Sequence, residues 1–298
     1  MTTLTVDVPA TLSNLGPGYD TLGLALDLRN RFHFSVAPGW SAEGQAVDPD
    51  SHLALRTARE AAARWGGVLP GLHVTQTERV PRARGLGSSA TARVAGLVAA
   101  LQLGGAEADP AEQLAFLAQG EGHPDNVAPA LLGGLAVVAL DGGRVMHRTW
   151  PAPALEVALA VPRLEVSTAA ARRILPTEVP HADAVFNLGR LAFLLTGLLR
   201  GDAEALRHGL HDRLHQRWRA GLIGPVEPAF DAALAAGALG AFVSGSGSTL
   251  AAFVPVGGPT QQVAEALAAP FRGPDGPGAD ALVACPSSEG VVWATGAR

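Results

Sequence analysis

A glycine- and serine-rich turn that opens directly into an apolar helix constrains this chain more than any other feature. The stretch RGLGSSATARVAGLVAALQLGG spans residues 84–105, and its pattern predicts a helix from about Ser89 to Leu103. Small residues in such a turn let backbone N–H groups crowd around an anion at the helix N-terminus, where the helix dipole favours negative charge. The hydroxyls of Ser88, Ser89 and Thr91 would add oxygen ligands for phosphate or Mg²⁺. The turn therefore predicts a phosphate site.

Two other interpretations of this turn remain open from the residues alone. One is an ordinary glycine-rich turn capped by serine. The other is a dinucleotide-binding turn, because GLGSSA fits G-x-G-x-x-A and Glu107 lies about 20 residues further on. Two features argue against the dinucleotide. VPRAR separates the turn from any buried apolar strand, and Glu107 sits in GGAEADP between two predicted helices rather than at the end of a strand.

The absence of lysine excludes several kinds of phosphate-binding and catalytic site that depend on this residue. All 22 basic residues of the chain are arginine. A P-loop needs a lysine at the β- and γ-phosphates, and a protein kinase needs one on its third strand. Lysine Schiff-base chemistry, including the anchoring of pyridoxal phosphate, is excluded for the same reason.

Length and charge limit the class of protein. A chain of 298 residues with 48% hydrophobic content can bury a large core and predicts two domains. Its net charge of -5 argues against nucleic acid or an anionic membrane as the main partner. No apolar run of about 18 residues is evident, and no basic residue precedes Arg29 as in a signal peptide. With Cys285 as the single cysteine, we expect a soluble, cytoplasmic protein without disulfides.

Both halves of the chain mix strands and helices, which indicates α+β layers with a boundary near residue 152. The first half contains alternating strands and a helix that begins at Asp109 as N-cap with Pro110 in its first turn. In the second half, DAEALRHGLHDRLHQRW predicts one long helix, and GSGS predicts a turn between two apolar strands. GVVWATGAR predicts a terminal strand.

The phosphate turn is one of five stretches that occur together. They are PATLSNLGPGYDTLGLAL at 9–26, PRARGLGSSATA at 81–92, EGHPDNVAPALLGG at 121–134, DRLHQ at 212–216 and GAFVSGSGSTLAAF at 240–253. In this order they closely resemble the GHMP small-molecule kinases, and the third and fourth resemble the homoserine kinases in particular. The resemblance extends over nearly the whole chain.

The resemblance implies a two-domain α+β fold. Residues 1–152 would form an ATP-binding domain with a ribosomal-protein-like βαβ arrangement, and residues 153–298 a ferredoxin-like domain. The implied reaction transfers the γ-phosphoryl group of ATP to the side-chain hydroxyl of L-homoserine, a step of threonine biosynthesis, in a homodimer. ATP would be bound by Pro81, Arg82, Ala83, Arg84, Gly85, Leu86, Gly87, Ser88, Ser89, Ala90 and Thr91. The glycines of VSGSGST would brace this loop.

The same resemblance implies roles for the remaining polar residues. Substrate would be bound by Asn14, Asp20, His123, Arg172 and Arg219, with Asp20 on the ammonium group and the arginines on the carboxylate. The catalytic residues would be Asn126, Asp125 and Thr168. Asn126 would hold the substrate hydroxyl. Asp125 is the obvious candidate for general base, but the resemblance also allows it only to organise its loop while a γ-phosphate oxygen takes the proton.

Mg²⁺ would be held by Ser88 and Glu121, with Glu112 as the second choice of carboxylate, because Ala115 stands where longer relatives place an acid. Tyr19, the only tyrosine, replaces the usual phenylalanine and adds a hydroxyl near the site. Two alternative functions remain. One is a related kinase acting on mevalonate or a sugar, and the other is a nucleotide-binding relative without catalysis.

Overall fold

A computed structural model of the chain describes residues 2–297. The strands are β1 (Thr2–Ser13), β2 (Leu22–Val36), β3 (Ser41–Ala42), β4 (Gln45–Ala46), β5 (Leu72–Thr77), β6 (Leu135–Asp141), β7 (Arg144–Trp150), β8 (Leu155–Pro162), β9 (Gly240–Val243), β10 (Leu250–Pro255), β11 (Ala279–Ala284) and β12 (Val292–Ala297). The helices are α1 (Leu53–Arg64), α2 (Ser88–Gly104), α3 (Pro110–Glu121), α4 (Val127–Leu132), α5 (Thr168–Arg173), α6 (His181–Arg200), α7 (Ala203–Gly209), α8 (Gln216–Ile223), α9 (Val226–Ala235) and α10 (Thr260–Ala268). The predicted class, α+β in two domains, is confirmed.

The first sheet carries helices α1 to α4 on one face. Its strands run in the order β12-β1-β2-β5-β3-β4, and β6 and β7 continue from β2. A first core forms where apolar side chains of β1, β2 and β5 meet the helices, and α2 is buried along most of its length. Asp109 caps α3 as predicted by accepting the N–H of Ala111.

The second sheet has the order β11-β8-β10-β9, with all pairs antiparallel. The side chains of β8 point alternately to the two faces of the sheet, and both faces are covered. Val157, Leu159 and Val161 face a core shared with the first sheet, α6 and α7. Ala158 and Ala160 face a third core against α5, α8, α9 and α10. The small alanines on this face leave room for the helices to pack closely.

A change of register in β1 separates the first core from the shared core. The pairing of β1 with β2 shifts between Pro9 and Thr11. Leu4, Val6 and Val8 precede the shift and belong to the first core, whereas Leu12, after it, belongs to the shared core. Such irregularities bend a strand and increase its twist. The bend directs the end of β1 toward the second half of the chain.

The predicted terminal strand is β12, and it pairs with β1, so the first sheet takes strands from both halves of the chain. One prediction about the second half is corrected. DAEALRHGLHDRLHQRW is not one helix, because α7 ends at Gly209 and α8 begins at Gln216. The segment between them is held by Asp212, whose carboxylate accepts backbone N–H groups that a continuous helix would use internally. Helix α9 was not predicted.

The expectation that no segment is long and apolar enough to cross a membrane is also corrected. Among residues 2–297, α6 passes that test by length and composition. Only 22% of this apolar window is buried, and the buried part includes Leu194 and Leu198 in the shared core.

Candidate active site

A cavity of about 450 Å³ opens where four of the five sequence motifs meet, and DRLHQ does not line it. It receives side chains from both halves of the chain. The residues predicted to be catalytic, substrate-binding or metal-binding all line it: Asn14, Asp20, Ser88, Glu121, His123, Asp125, Asn126, Thr168, Arg172 and Arg219. The structure thus brings together residues that lie up to about two hundred positions apart in the sequence.

The phosphate turn forms one wall of this cavity and leads into α2. Ala83, Gly85 and Gly87 all have positive φ angles, of 52°, 78° and 68°. Alternating conformations of this kind turn successive N–H groups toward one side and make an anion-binding concavity. No side chain caps the first turn of the 17-residue helix α2. Its first N–H groups and its dipole are therefore available to an anionic ligand.

The predicted ATP-binding residues divide into two groups. Arg82, Ala83, Arg84, Gly85, Gly87, Ser88 and Ser89 line the cavity, whereas Pro81, Leu86, Ala90 and Thr91 do not. Leu86 and Ala90 are fully buried in the cores.

The role predicted for Thr91 is corrected. Its hydroxyl donates to the carbonyl oxygen of Ser88 at 2.8 Å and accepts from the side-chain amide of Asn30 at 3.0 Å, so it does not reach a phosphate. Asn30, which sequence reasoning missed, also accepts the N–H groups of Arg79 and Val80 at 2.9 Å. It thereby fixes the approach to the phosphate turn against α2. An asparagine inside the strand pattern LDLRNRFHF was the available signal.

The turn between β9 and β10 braces the phosphate turn, as predicted. The Ser244 hydroxyl donates to the carbonyl oxygen of Gly85 at 2.7 Å, and the N–H of Thr249 donates to that of Arg84 at 3.0 Å. A Cβ atom on Gly85 would lie 2.2 Å from the carbonyl oxygen of Ser244. Because the two backbones are in contact, only glycine fits at position 85.

Asn14 and Arg219 meet at one carbonyl group, that of Gly245. The Asn14 amide donates to it at 3.0 Å and the Arg219 guanidinium at 2.5 Å. Asn14 also accepts the N–H of Asp20 at 3.0 Å. Both ends of its side chain are therefore engaged within the protein. Asn14 acts here as a positioning residue for Asp20 and the glycine turn, although it lines the cavity.

Three residues of DRLHQ build the support beneath Arg219. Asp212 accepts the N–H groups of Leu214, His215 and Gln216 at 2.8–3.0 Å. The His215 ring is fully buried, with Nε2 2.8 Å from the carbonyl oxygen of Gly16 and Nδ1 3.2 Å from Arg219. These partners require Nε2 to carry the proton. Burial lowers the pKa of His215 to about 4, and the nearby charge of Arg219 acts in the same direction.

Arg219 is buried, at 3% exposure, and lines the cavity without a carboxylate within ion-pair distance in the part of the chain that the structure describes. Burial lowers its pKa below that of an ordinary arginine. A buried arginine of this kind is stabilised by an anion supplied from outside the chain. Arg217, two residues earlier, instead pairs with Asp183 at 2.9 Å.

Arg172 and Asp20 form a bidentate ion pair across the cavity, with distances of 2.9 and 2.8 Å. Arg172 belongs to α5 and Asp20 to the turn before β2, so the pair joins the two halves of the chain. The Tyr19 hydroxyl lies 3.1 Å from Arg172, and its ring lies 5.2 Å from the guanidinium carbon of Arg219. Tyr19 therefore stands between the two arginines.

Asn126 is held by two hydroxyl residues of β1 that sequence reasoning missed. The Thr11 hydroxyl donates to the Asn126 side-chain oxygen at 2.8 Å, and the Asn126 amide donates to the Ser13 hydroxyl at 2.9 Å. Thr11 and Ser13 are two residues apart and so project from the same face of the strand. Their spacing in PATLSN was the available signal. A Cβ atom on Gly87 would lie 2.0 Å from the Thr11 hydroxyl, so this support also needs the glycine.

His123 and Asp125 form a buried pair, with 2.5 Å between Nδ1 and the carboxylate. Burial alone would lower the pKa of His123, but the hydrogen bond and the negative charge of Asp125 outweigh it and raise that pKa. The Asp125 carboxylate is thus hydrogen-bonded to the His123 imidazole, whose raised pKa favours the protonated form. The loop sits close against β2, because Gly23 there leaves space for the carbonyl group of Asp125.

Glu121 ends α3 beside the start of α2. One of its carboxylate oxygens contacts the hydroxyl of Ser89 and the other accepts from Arg93 at 2.9 Å. The predicted partner Ser88 lines the same cavity but does not bond Glu121. Glu112 lies nine residues away at the other end of α3, about 14 Å along the helix axis. Of the two predicted carboxylates, only Glu121 lies at the cavity.

Comparison with known protein families identifies two matching domains. The GHMP kinases N terminal domain matches residues 52–134, and the GHMP kinases C terminal domain matches residues 194–273. Together they span more than half of the chain.

Individual proteins are similar over most of the chain. A homoserine kinase of Trichormus variabilis is 42% identical over 266 residues, which are 86% of this chain and 88% of that protein. The crystal structure of a homoserine kinase from Cytophaga hutchinsonii superposes with a TM-score of 0.86 and 29% identity, covering 98% and 97% of the two chains. A mevalonate kinase of L. major in complex with R-mevalonate shares the fold, with a TM-score of 0.70 at 16% identity and 95% and 96% coverage.

The buried state of His215 predicts a pH dependence of stability. In the unfolded chain a histidine gains a proton below about pH 6.5, whereas His215 in the folded chain stays neutral down to about pH 4. The unfolded state therefore binds more protons in this interval, and the free energy of unfolding falls by roughly 3 kcal/mol as the pH drops from 6.5 to 4.

Urea unfolding of wild type and of His215→Gln at several pH values measures this effect. The other histidines are common to both proteins, so the difference between the two curves isolates His215. Wild type should lose more stability than the variant on acidification, even though the variant is less stable at pH 7. Parallel curves would contradict a neutral, buried His215.

Proposed function

The chain belongs to the GHMP kinases, and from this membership we propose that it transfers the γ-phosphoryl group of ATP to the side-chain hydroxyl of L-homoserine, giving O-phospho-L-homoserine for threonine biosynthesis. The observation that carries this substrate is the buried Arg219, which faces the cavity without an acidic partner and lies close to Asp20 and Arg172. An amino-acid substrate supplies both a carboxylate for an arginine and an ammonium group for an acid. A sugar or a simple hydroxy acid does not.

The phosphate groups of ATP are proposed to lie against the turn at residues 82–89. Phosphoryl transfer depends mainly on positioning and on neutralising the charge of the transferred group. The N-terminus of α2 supplies N–H donors for this purpose, and Arg82 and Arg84 line the same wall. Arginine here takes the charge-neutralising part that lysine has in a P-loop.

Asp20 and Arg172 pair with each other in the structure. We propose that the ammonium and carboxylate groups of homoserine take over these two pairings when homoserine binds. The pair is about one-third exposed on each side, so it can open toward the cavity. The substrate ammonium would then bind Asp20, and its carboxylate would bind Arg172 and Arg219. Each charged group exchanges one partner for another of the same sign, which keeps the desolvation cost small.

Asn126 is proposed to hold the hydroxyl that is phosphorylated, together with Thr168, which lines the same cavity. Thr11 and Ser13 fix the Asn126 amide in one orientation. We propose that Asp125 organises this loop through His123 rather than acting as the general base, since its carboxylate is already bonded to the imidazole. The hydroxyl proton would then pass to a γ-phosphate oxygen.

The residues at the start of α2 fit a magnesium ion. Mg²⁺ prefers one or two carboxylates together with hydroxyl, water and phosphate oxygens. Glu121 supplies the carboxylate, and Ser88 and Ser89 supply hydroxyl groups at the same wall. A bound Mg²⁺ would neutralise charge on the β- and γ-phosphates. Arg93 holds the second oxygen of Glu121 and fixes the orientation of the carboxylate.

We expect the protein to act in the cytoplasm as a homodimer, without nucleic acid or membrane partners. The support for self-association is the outward face of α6, where Val185, Leu188 and Phe193 are 54%, 68% and 50% exposed. Apolar surface of this extent is typical of contact sites between proteins.

Measurement of ADP release with homoserine, mevalonate, galactose and shikimate as acceptors tests the proposed substrate. We expect phosphorylation of homoserine with at least a hundredfold higher kcat/KM than of the other three. Preference for mevalonate or galactose would assign the chain to another activity of the same fold. ATP binding without turnover of any acceptor would indicate a non-catalytic relative.

Replacement of Arg219 tests the carboxylate site. Loss of one partner of a desolvated ion pair costs roughly 2–5 kcal/mol. Arg219→Ala should therefore raise the KM for homoserine about 30-fold or more, while the KM for ATP changes little. Arg219→Lys, which keeps the charge but not the planar fork, should give an intermediate effect. Steady-state kinetics with each substrate varied provides both constants.

Arg217→Ala is the matched control, because Arg217 lies two residues away and pairs with Asp183 outside the cavity. It should have wild-type kinetics. An essential Arg217 together with a dispensable Arg219 would contradict the assignment of the carboxylate site.

Replacement of Glu121 tests the metal site. Glu121→Gln keeps the size of the side chain but removes the charge that favours Mg²⁺. We expect the Mg²⁺ concentration for half-maximal activity to rise about tenfold or more. Glu112→Gln, on the same helix but away from the cavity, should leave it unchanged. An unchanged Mg²⁺ requirement in Glu121→Gln would remove this residue from the metal site.

A further inference from the structure

Tyr19 lies against both arginines of the proposed carboxylate site. Its hydroxyl accepts a hydrogen bond from Arg172 at 3.1 Å, since a guanidinium group can only donate. The centre of its ring lies 5.7 Å from the guanidinium carbon of Arg172 and 5.2 Å from that of Arg219. At both distances a cation is attracted to an aromatic ring. One side chain thus links two arginines that come from different helices, α5 and α8.

The position of the Tyr19 ring is fixed by its own neighbours. The ring packs on that of His215, with 5.2 Å between the ring centres and 34° between the planes. His215 is fully buried and bonded to the carbonyl oxygen of Gly16, so it provides a firm surface. The Tyr19 carbonyl oxygen accepts from the Thr21 hydroxyl at 3.0 Å. Both the backbone and the ring of Tyr19 are therefore held in place.

Tyr19 does not line the cavity, whereas Arg172 and Arg219 do. It can therefore act on an acceptor only through the two arginines. Their like charges repel each other: burial lowers the pKa of Arg219, and the charge of Arg172 acts in the same direction. The negative π surface of the Tyr19 ring offsets part of this repulsion.

The Tyr19 hydroxyl remains a neutral partner for Arg172. Burial raises the pKa of Tyr19 above its ordinary value, and the charge of Asp20 raises it further, so the hydroxyl keeps its proton. Within residues 2–297, the hydrogen-bond partners of Arg172 are the carboxylate of Asp20 and this hydroxyl. If the ammonium group of the acceptor takes Asp20, the hydroxyl is the partner that stays with Arg172.

We propose that Tyr19 is a positioning residue for the carboxylate end of the acceptor. Its ring holds Arg172 and Arg219 at one spacing, and its hydroxyl retains Arg172 after Asp20 has bound the ammonium group. The proposal rests on the function proposed above and adds a residue to that site. A guanidinium group held in one orientation binds a carboxylate more tightly, because less side-chain entropy is lost on binding.

Kinetics of two Tyr19 variants separate the hydroxyl from the ring. Tyr19→Phe removes the hydroxyl alone, and the loss of one hydrogen bond should lower kcat/KM for homoserine about fivefold through a higher KM. Tyr19→Leu also removes both cation–π contacts and should lower it about 30-fold or more. In both variants kcat and the KM for ATP should stay within about twofold of wild type. An unchanged KM for homoserine, or an equal rise in both KM values, would overturn the proposal.

A double-mutant cycle tests whether the hydroxyl acts through Arg172. In an Arg172→Met background the hydroxyl has lost its partner, so adding Tyr19→Phe should change kcat/KM for homoserine less than about twofold. Initial rates at low homoserine give kcat/KM even where the KM is high. Arg173→Met is the matched control background, because Arg173 is exposed and does not line the cavity. There the full fivefold effect should persist. A fivefold effect in the Arg172→Met background as well would contradict the proposal.

A spectroscopic measurement is independent of turnover. Tyr19 is the only tyrosine of the chain, so the tyrosine absorption band reports on this residue alone. Difference spectra are recorded on adding homoserine to wild type, with Tyr19→Phe as the baseline for the tryptophans. The band should shift, because Arg172 exchanges Asp20 for the substrate carboxylate beside the hydroxyl. An unchanged band at saturating homoserine would overturn the proposal.

Failure of this inference is distinguishable from failure of the proposed function. Wild type that phosphorylates homoserine, with both Tyr19 variants at wild-type kcat/KM, would overturn the role of Tyr19 and leave the function standing. Wild type that neither binds nor phosphorylates homoserine would overturn the function and this inference together.

Discussion

The carbonyl group of Gly245 is the point on which the architecture of the site depends. It accepts from Asn14, which holds the turn of Asp20, and from Arg219, which rests on the DRLHQ segment. The same glycine turn bonds the phosphate turn through Ser244 and Thr249. Because a buried carbonyl and a buried guanidinium are both costly to leave unpaired, these contacts stabilise the arrangement of the two turns. The nucleotide wall and the acceptor end are thereby fixed relative to each other, although they come from different halves of the chain.

The electrostatic design follows from the same arrangement. Arg172 pairs with the carboxylate of Asp20, whereas within residues 2–297 Arg219 bonds carbonyl groups and the neutral His215. His215 must stay uncharged for this to be tolerable, and its burial ensures that it does. The site therefore holds a net positive charge at one end of the acceptor pocket. An anionic group that binds there would meet a positive charge already in place, which would reduce the reorganisation needed on binding.

The sequence predicted what depends on local pattern and on short motifs. The phosphate turn, the first turn of α2, the Asp109 cap and the two strands around the second glycine turn are all local, and all agree with the structure. The predictions that the structure corrected depend on long-range contacts. Thr91 carries a plausible hydroxyl, but its direction is set by Asn30, 61 residues earlier. The break before α8 arises because Asp212 and Asn187 bond each other across a helix pair, and β12 joins the first sheet because β1 offers it an edge. Periodicity within a segment carries no information about such partners.

The pairing of β12 with β1 has a consequence for how the protein comes to be folded during synthesis. Val6 pairs with Trp293, so β1 is made long before the strand that completes its pairing. Until then β1 presents an unpaired edge, and the strand that carries Thr11 and Ser13 lacks one of its two neighbours. Contacts so distant in sequence form slowly, because the entropy of a long loop must be lost before the contacts can stabilise the fold. The cavity, which Ser13 at the end of β1 helps to line, should therefore be completed late in folding, once β12 has been made and has closed this edge of the first sheet.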